Sequence, residues 1–108
     1  MTDLNLTEEM SLLAVWKLGE DAYGVTIRRY LSERTGRIFP YGTLYGALDK
    51  MVRIGLLRKS ESTPTAERGG RRKFYYHITQ EGIEALKAAM EMKKRLWDAD
   101  TELSLSES

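Results

Sequence analysis

The sequence predicts a mainly α fold carrying one small β-hairpin, and three observations lead there. Three helix-forming segments in the first half of the chain each run into a glycine, at Gly19, Gly36 and Gly55. Two short β-type runs, Leu56–Glu61 and Phe74–Ile78, flank a polar stretch containing Gly69 and Gly70. A last segment, Gln80–Trp97, returns to helical spacing. With 108 residues the chain is long enough for one modest core.

Each element has a local cause. Thr7 is a suitable cap for the first helix, with Glu8 and Glu9 in the first turn at the positive end of its dipole. Its apolar residues (Met10, Leu12, Leu13, Val15, Trp16, Leu18) make more than one stripe, so two buried faces are expected. The second helix runs from Tyr23 to Thr35, with Val25, Ile27, Tyr30 and Leu31 apolar and Arg28, Arg29, Glu33 and Arg34 polar. Pro40 biases Phe39 away from helix, so Ile38–Tyr41 reads as an extended link. The third helix starts at Tyr41 or Gly42 and ends at Ile54; Leu44, Leu48, Met51 and Val52 fall at i, i+4, i+7 and i+8, one face. Ser60–Gly70 is a polar loop. Thr79 caps the fourth helix, and Gly82 lies near its start, where a glycine is least harmful.

Composition narrows the function classes. The chain has no cysteine, so it holds neither a disulfide framework nor a thiolate metal site. No apolar run approaches the roughly 18 residues of a membrane span. Met1–Met10 carries acids and no basic-then-apolar export pattern, so the cytoplasm is the expected location. The one histidine, His77, has no Ser/His/Asp or paired-carboxylate setting, and no metal-ligand spacing occurs. An enzyme, a metal site and a cofactor are not expected. His77 is read as a solvated or cross-strand residue of the second strand.

Charge is more telling than its sum. The net charge is only +1, yet residues 53–73 hold seven bases against two acids. Residues 98–108 hold four acids and no base. The hairpin tip concentrates Arg68, Arg71, Arg72 and Lys73 around Gly69 and Gly70. A purely structural turn needs one or two turn residues and no basic cluster, so the tip points to a polyanion. Three helices and a two-stranded hairpin together make a winged helix-turn-helix. The third helix of such a fold can enter a major groove while the hairpin reaches a neighbouring backbone. With the apolar residues facing the core, Thr43, Gly46, Lys50 and Arg53 share the opposite face. Gly42, Thr43 and Gly46 would permit close approach to base edges. Lys50 and Arg53 would reach phosphates, and Tyr41 and Tyr45 would flank them with hydroxyls. Tyr45 packing against the second helix is an equal alternative.

At this point the chain resembles the PadR family of transcriptional regulators. The residues that carry the likeness are Tyr23-Gly24, then Gly42-Thr43-Leu44-Tyr45 with Ala47-Leu48 and Gly55-Leu56, then Gly69 to Thr79 with Gly82. Tyr41 departs from it, since proline or a small polar residue is frequent there. The resemblance implies a homodimer on a near-palindromic, inverted-repeat operator, usually acting as a repressor, and double-stranded DNA as partner. It places residues 1–79 in the winged helix-turn-helix, 80–97 in a C-terminal dimerisation helix, and 98–108 in an acidic tail that composition marks as frayed or disordered.

The stripe Ile83, Leu86, Met90, Trp97, with Lys93 at the missing step, supports the dimer separately: a helix packed on its own domain needs no tryptophan four turns along. Met10 and Trp16 would face it across the interface. Short members of the family also imply a small aromatic effector at the dimer centre, a role open to Trp16, Met90, Met92 and Trp97, although plain dimer packing is the preferred reading of these residues. The competing reading is a winged helix used for protein contacts without specific DNA binding.

Overall fold

The computed structural model describes residues 3–62 and 73–97. Its elements are α1 (Leu6–Leu18), α2 (Gly24–Thr35), α3 (Tyr41–Arg53), β1 (Leu57–Glu61), β2 (Phe74–Ile78) and α4 (Gln80–Trp97), with a single 3-10 turn at Gly19–Asp21. The two strands are antiparallel, with Leu57 opposite Ile78 and Glu61 opposite Phe74. A further bridge joins Tyr23 to Tyr75, and the Tyr76 amide donates to the Ala22 carbonyl at 2.8 Å. The hairpin is thereby fastened to the link between α1 and α2.

The core lies between α1, α2, α3 and the base of the hairpin. Leu12, Ile27, Leu44, Leu48, Met51, Leu57 and Tyr76 are almost fully excluded from water. Each such side chain contributes about 1.5–3 kcal/mol of transfer free energy. The apolar face expected for α3 is the one buried, with Val52 at its edge. Val25 differs from expectation: it is exposed, and α2 instead buries Ile27 and Leu31. Burial also raises the Tyr76 phenol, with Asp49 and Tyr45 adding to the effect, to about 12, so it stays neutral.

The start of α1 corrects the sequence reading. Asn5, not Thr7, is the cap: its Oδ1 accepts from the Glu8 amide at 2.8 Å, and Glu8 Oε1 accepts from the Asn5 amide at 3.0 Å. This reciprocal pair leaves Thr7 inside the helix, where its carbonyl accepts from Ser11. Glu8 is buried, and its carboxylate meets the Lys50 ammonium at 2.8 Å. Burial alone would raise the Glu8 pKa, but the hydrogen bonds from Lys50 and Asn5 and the Lys50 charge outweigh it and hold it below the usual 4.5.

Thr79 caps α4 as expected, its hydroxyl oxygen accepting from the Gly82 amide at 3.0 Å. It also ties the helix to the end of α3, donating through its hydroxyl to the Gly55 carbonyl at 2.7 Å and through its amide to the Leu56 carbonyl at 3.1 Å. Gly82 is buried at this junction, and a Cβ there would collide with the Leu56 carbonyl oxygen and lie 2.7 Å from Ile78 Cγ1. Its presence reflects close approach of α4 to the α3–β1 turn, not tolerance of a weak helix former.

Candidate nucleic-acid interface

The exposed side of α3 is built from residues 42, 43, 46, 49 and 53. Gly42 and Gly46 are both helical, and a Cβ on either would meet nothing within 4 Å. Among the described residues no packing requires these glycines, although Gly46, inside the helix, weakens it by about 1 kcal/mol relative to alanine. Their smallness is directed outward. Thr43 and Arg53 are exposed beside them. Lys50 is turned toward Glu8, so the ammonium assigned to phosphate contact already has a partner within the chain.

The other flank of α3 is a stack. The Tyr41 and Tyr45 rings lie 5.8 Å apart and within 19° of parallel. The Arg28 guanidinium covers Tyr41 at 4.3 Å while its Nε donates to the Phe39 carbonyl at 2.6 Å. The Tyr45 phenol lies across Gly24, where any Cβ would collide with its hydroxyl. This explains the Tyr23-Gly24 dipeptide: Tyr23 is the residue before α2, and Gly24 leaves room for Tyr45. Both phenol rings remain about 40 % exposed, so packing against α2 and access from outside coexist. Arg28 was read from sequence only as a polar residue of α2. Its role as a clamp on α3 depends on a contact 11 residues away, which no local pattern displays.

At the base of the hairpin, Lys73 sits over the Tyr23 ring at 4.3 Å, and Tyr23 meets Tyr75 edge to face at 5.4 Å. Ser62 and Lys73 close the described part of the hairpin through two hydrogen bonds, 2.7 and 2.9 Å long. His77 is a cross-strand residue, 3.1 Å from the Ser60 hydroxyl. The tip residues Arg68, Gly69, Gly70, Arg71 and Arg72 lie outside the described residues.

A second feature lies on the far side of α1. Trp16 and Leu13, about half exposed, face Ile83, Leu86, Met90 and Trp97 of α4 across a groove of about 590 Å³. Lys87, Lys93, Lys94 and Glu9 edge it. Lys93 is ion-paired to Glu9 and so links α4 to α1. That contact accounts for the lysine at the step where the apolar stripe breaks. Met10 does not line the groove and packs against the core instead. Of the two buried faces expected of α1, one lies in the core, while the other, with Leu13 and Trp16, is open in the groove and not buried. Among the described residues no helix is long and apolar enough to cross a membrane, and no cluster of metal-ligating side chains occurs.

Helix, turn, helix and wing in this order define a winged helix-turn-helix. Residues 12–88 match the transcriptional regulator PadR-like family. The chain is a member of that family of regulators, and not of an enzyme family. Among solved structures, a complex structure of the RosR protein of H. salinarum is 31 % identical with a TM-score of 0.72, covering 91 % of this chain and 80 % of that one. A PadR family transcription regulator from Clostridium difficile is 28 % identical with a TM-score of 0.66, covering 86 % and 88 %. The fold is shared by the putative transcriptional regulator TA0346 of Thermoplasma acidophilum, 23 % identical with a TM-score of 0.67, covering 84 % and 88 %. No curated protein matches the chain.

Proposed function

We propose that this regulator is a homodimeric repressor that binds an inverted-repeat operator in the cytoplasm. In this reading α3 enters the major groove and the basic hairpin tip grips the adjacent backbone. The observation that carries the DNA-reading role is the outer face of α3. It keeps two glycines, Gly42 and Gly46, whose missing side chains make room for no contact among the described residues. A helix that must lie against base edges supplies the reason for them. Thr43 and Arg53 offer polar groups on that face. Tyr41 and Tyr45 offer hydroxyls at its flank, and Arg28 braces the start of the helix through the Tyr41 ring and the Phe39 carbonyl. Arg68, Arg71 and Arg72 supply affinity and register without choosing the sequence.

Dimer formation through α4 and α1 is supported by the apolar residues left open in the groove, Trp16, Met90 and Trp97 foremost. A two-fold dimer sets its two recognition helices about 34 Å apart, one turn of DNA. The same groove favours a second element of the reading, a flat aromatic effector held between the tryptophans. It has the size and apolar lining of a small-molecule site.

The test is duplex binding across a salt series. Counterion release predicts a linear fall of log K with log salt, with a slope of about −0.9 for each phosphate contacted. Binding that is absent, or that does not change with salt, favours a winged helix used for protein contacts.

A further inference from the structure

We infer that Asp49 is a base-reading residue of α3, accepting a hydrogen bond from a cytosine amino group in the major groove, and that Lys59 of β1 holds its carboxylate in place for that task. This rests on the DNA-binding reading above.

The outermost stripe of α3 is Gly42, Gly46, Asp49 and Arg53, at i, i+4, i+7 and i+11, all exposed. The first two have no side chain, and Arg53 stands in the last turn. Asp49 is therefore the side chain that projects next to the bare part of the helix, where bases would come closest. An isolated carboxylate on such a face would be repelled by phosphates. Here Lys59 Nζ stands 3.8 Å from Asp49 Oδ1, while the Asp49 side chain remains 58 % exposed. Its charge is balanced, and its oxygens are still within reach of a partner from outside. Lys59 is steadied in turn by the Phe74 ring, 4.5 Å from its ammonium. The hairpin thus contributes to the reading head itself, in addition to any backbone contact at its tip.

The chemistry selects the base. An ionised carboxylate accepts and cannot donate. In the major groove only the cytosine N4 and adenine N6 amino groups donate. The adenine amino group sits beside the N7 acceptor, which would face the second carboxylate oxygen. Cytosine has no acceptor there, so it is the better match.

The experiment selects bound duplexes from a pool of randomised sequence, using the full chain as wild type, Asp49→Ala, Asp49→Asn and Lys59→Met at one salt concentration. Asp49 is exposed, and circular dichroism checks that each variant folds. The wild type should enrich a motif with cytosine at one position per half-site, favoured roughly five- to a hundredfold. Asp49→Ala should lose that preference at that position alone, and Lys59→Met should weaken it. Asp49→Asn should move it toward adenine, whose N6 and N7 an amide can engage together. A motif returned unchanged by Asp49→Ala overturns the inference and leaves the DNA-binding reading standing. A wild type that binds duplexes but enriches no motif overturns the sequence-reading role itself, and this inference with it.

Discussion

The Glu8 carboxylate and the Lys50 ammonium meet at 2.8 Å, joining the first turn of α1 to the last turn of α3. Glu8 is nearly sealed from water, whereas Lys50 is about half exposed. Lys50→Met would leave the buried Glu8 carboxylate with the hydrogen bond from the Asn5 amide and no paired charge. The expected loss is about 1–2 kcal/mol at pH 7, below the figure for a fully buried pair because solvent reaches Lys50. The pH dependence has a defined sign. The Glu8 carboxyl is held below 4.5 in the folded state, so its contribution is present above that value and fades as pH falls through the folded pKa. Urea unfolding should therefore show a gap between wild type and Lys50→Met at pH 7 that narrows at pH 3. An equal gap at both values would place the effect elsewhere.

Two glycines in helices make opposite predictions. At Gly82 an added Cβ strikes the Leu56 backbone carbonyl, which cannot swing aside as a side chain would. Gly82→Ala is expected to destabilise by about 1–3 kcal/mol in spite of the better helix former. At Gly46 the added Cβ meets open space. Gly46→Ala should stabilise by about 0.5–1 kcal/mol and yet weaken specific duplex binding, because the methyl group stands where the DNA would lie. Thermal unfolding paired with a binding titration separates the two. A Gly46→Ala variant with tighter or unchanged binding would remove the argument that this face touches DNA.

The parts legible from sequence were those with local causes. The glycines after α2 and α3 do adopt positive φ, 71° at Gly36 and 86° at Gly55, as helix ends require. The α3 stripe and the Thr79 cap follow from spacing and from one hydroxyl. What escaped the sequence depends on contacts across the chain. Thr7 and Asn5 are both acceptable caps by residue type, and the hydrogen bond that Glu8 returns to Asn5 decides between them. Lys50 shares a helical face with Thr43 and Gly46, but a flexible side chain follows its nearest carboxylate, and Glu8 lies 42 positions earlier. Gly82 reads as a glycine placed where it does little harm, and Gly24 as part of a motif without a visible reason, because Leu56 and Tyr45, the groups they make room for, are distant in sequence. Asp49 was passed over because basic residues dominate an argument about phosphates. Its partner Lys59 comes from a different element.

The wing and the helix should separate experimentally. Arg71→Ala with Arg72→Ala removes two tip charges that carry no sequence information. It should weaken binding to every duplex by a similar factor and reduce the salt slope by about 2. Thr43→Val is nearly isosteric and leaves the charge unchanged. It should instead alter the ranking of duplexes while preserving the slope. If both variants change ranking and slope alike, affinity and specificity are not divided between wing and helix.

The groove makes the last prediction. Trp97 stands at the end of α4, four turns beyond the Gly82 junction, and Trp16 faces it from α1; each is 52 % exposed. Surface tryptophans cluster in this way where a partner covers them. Trp97→Ala should shift sedimentation toward the monomer, with Trp16→Ala acting in the same direction. Both side chains are half exposed in the single chain, so neither change should cost much monomer stability. Operator binding should weaken more than binding to random duplex, since an inverted repeat rewards the dimer twice. A Trp97→Ala protein that remains dimeric at the dilution where wild type begins to dissociate would show that the tryptophan does not hold the dimer. The groove would then be left to a ligand.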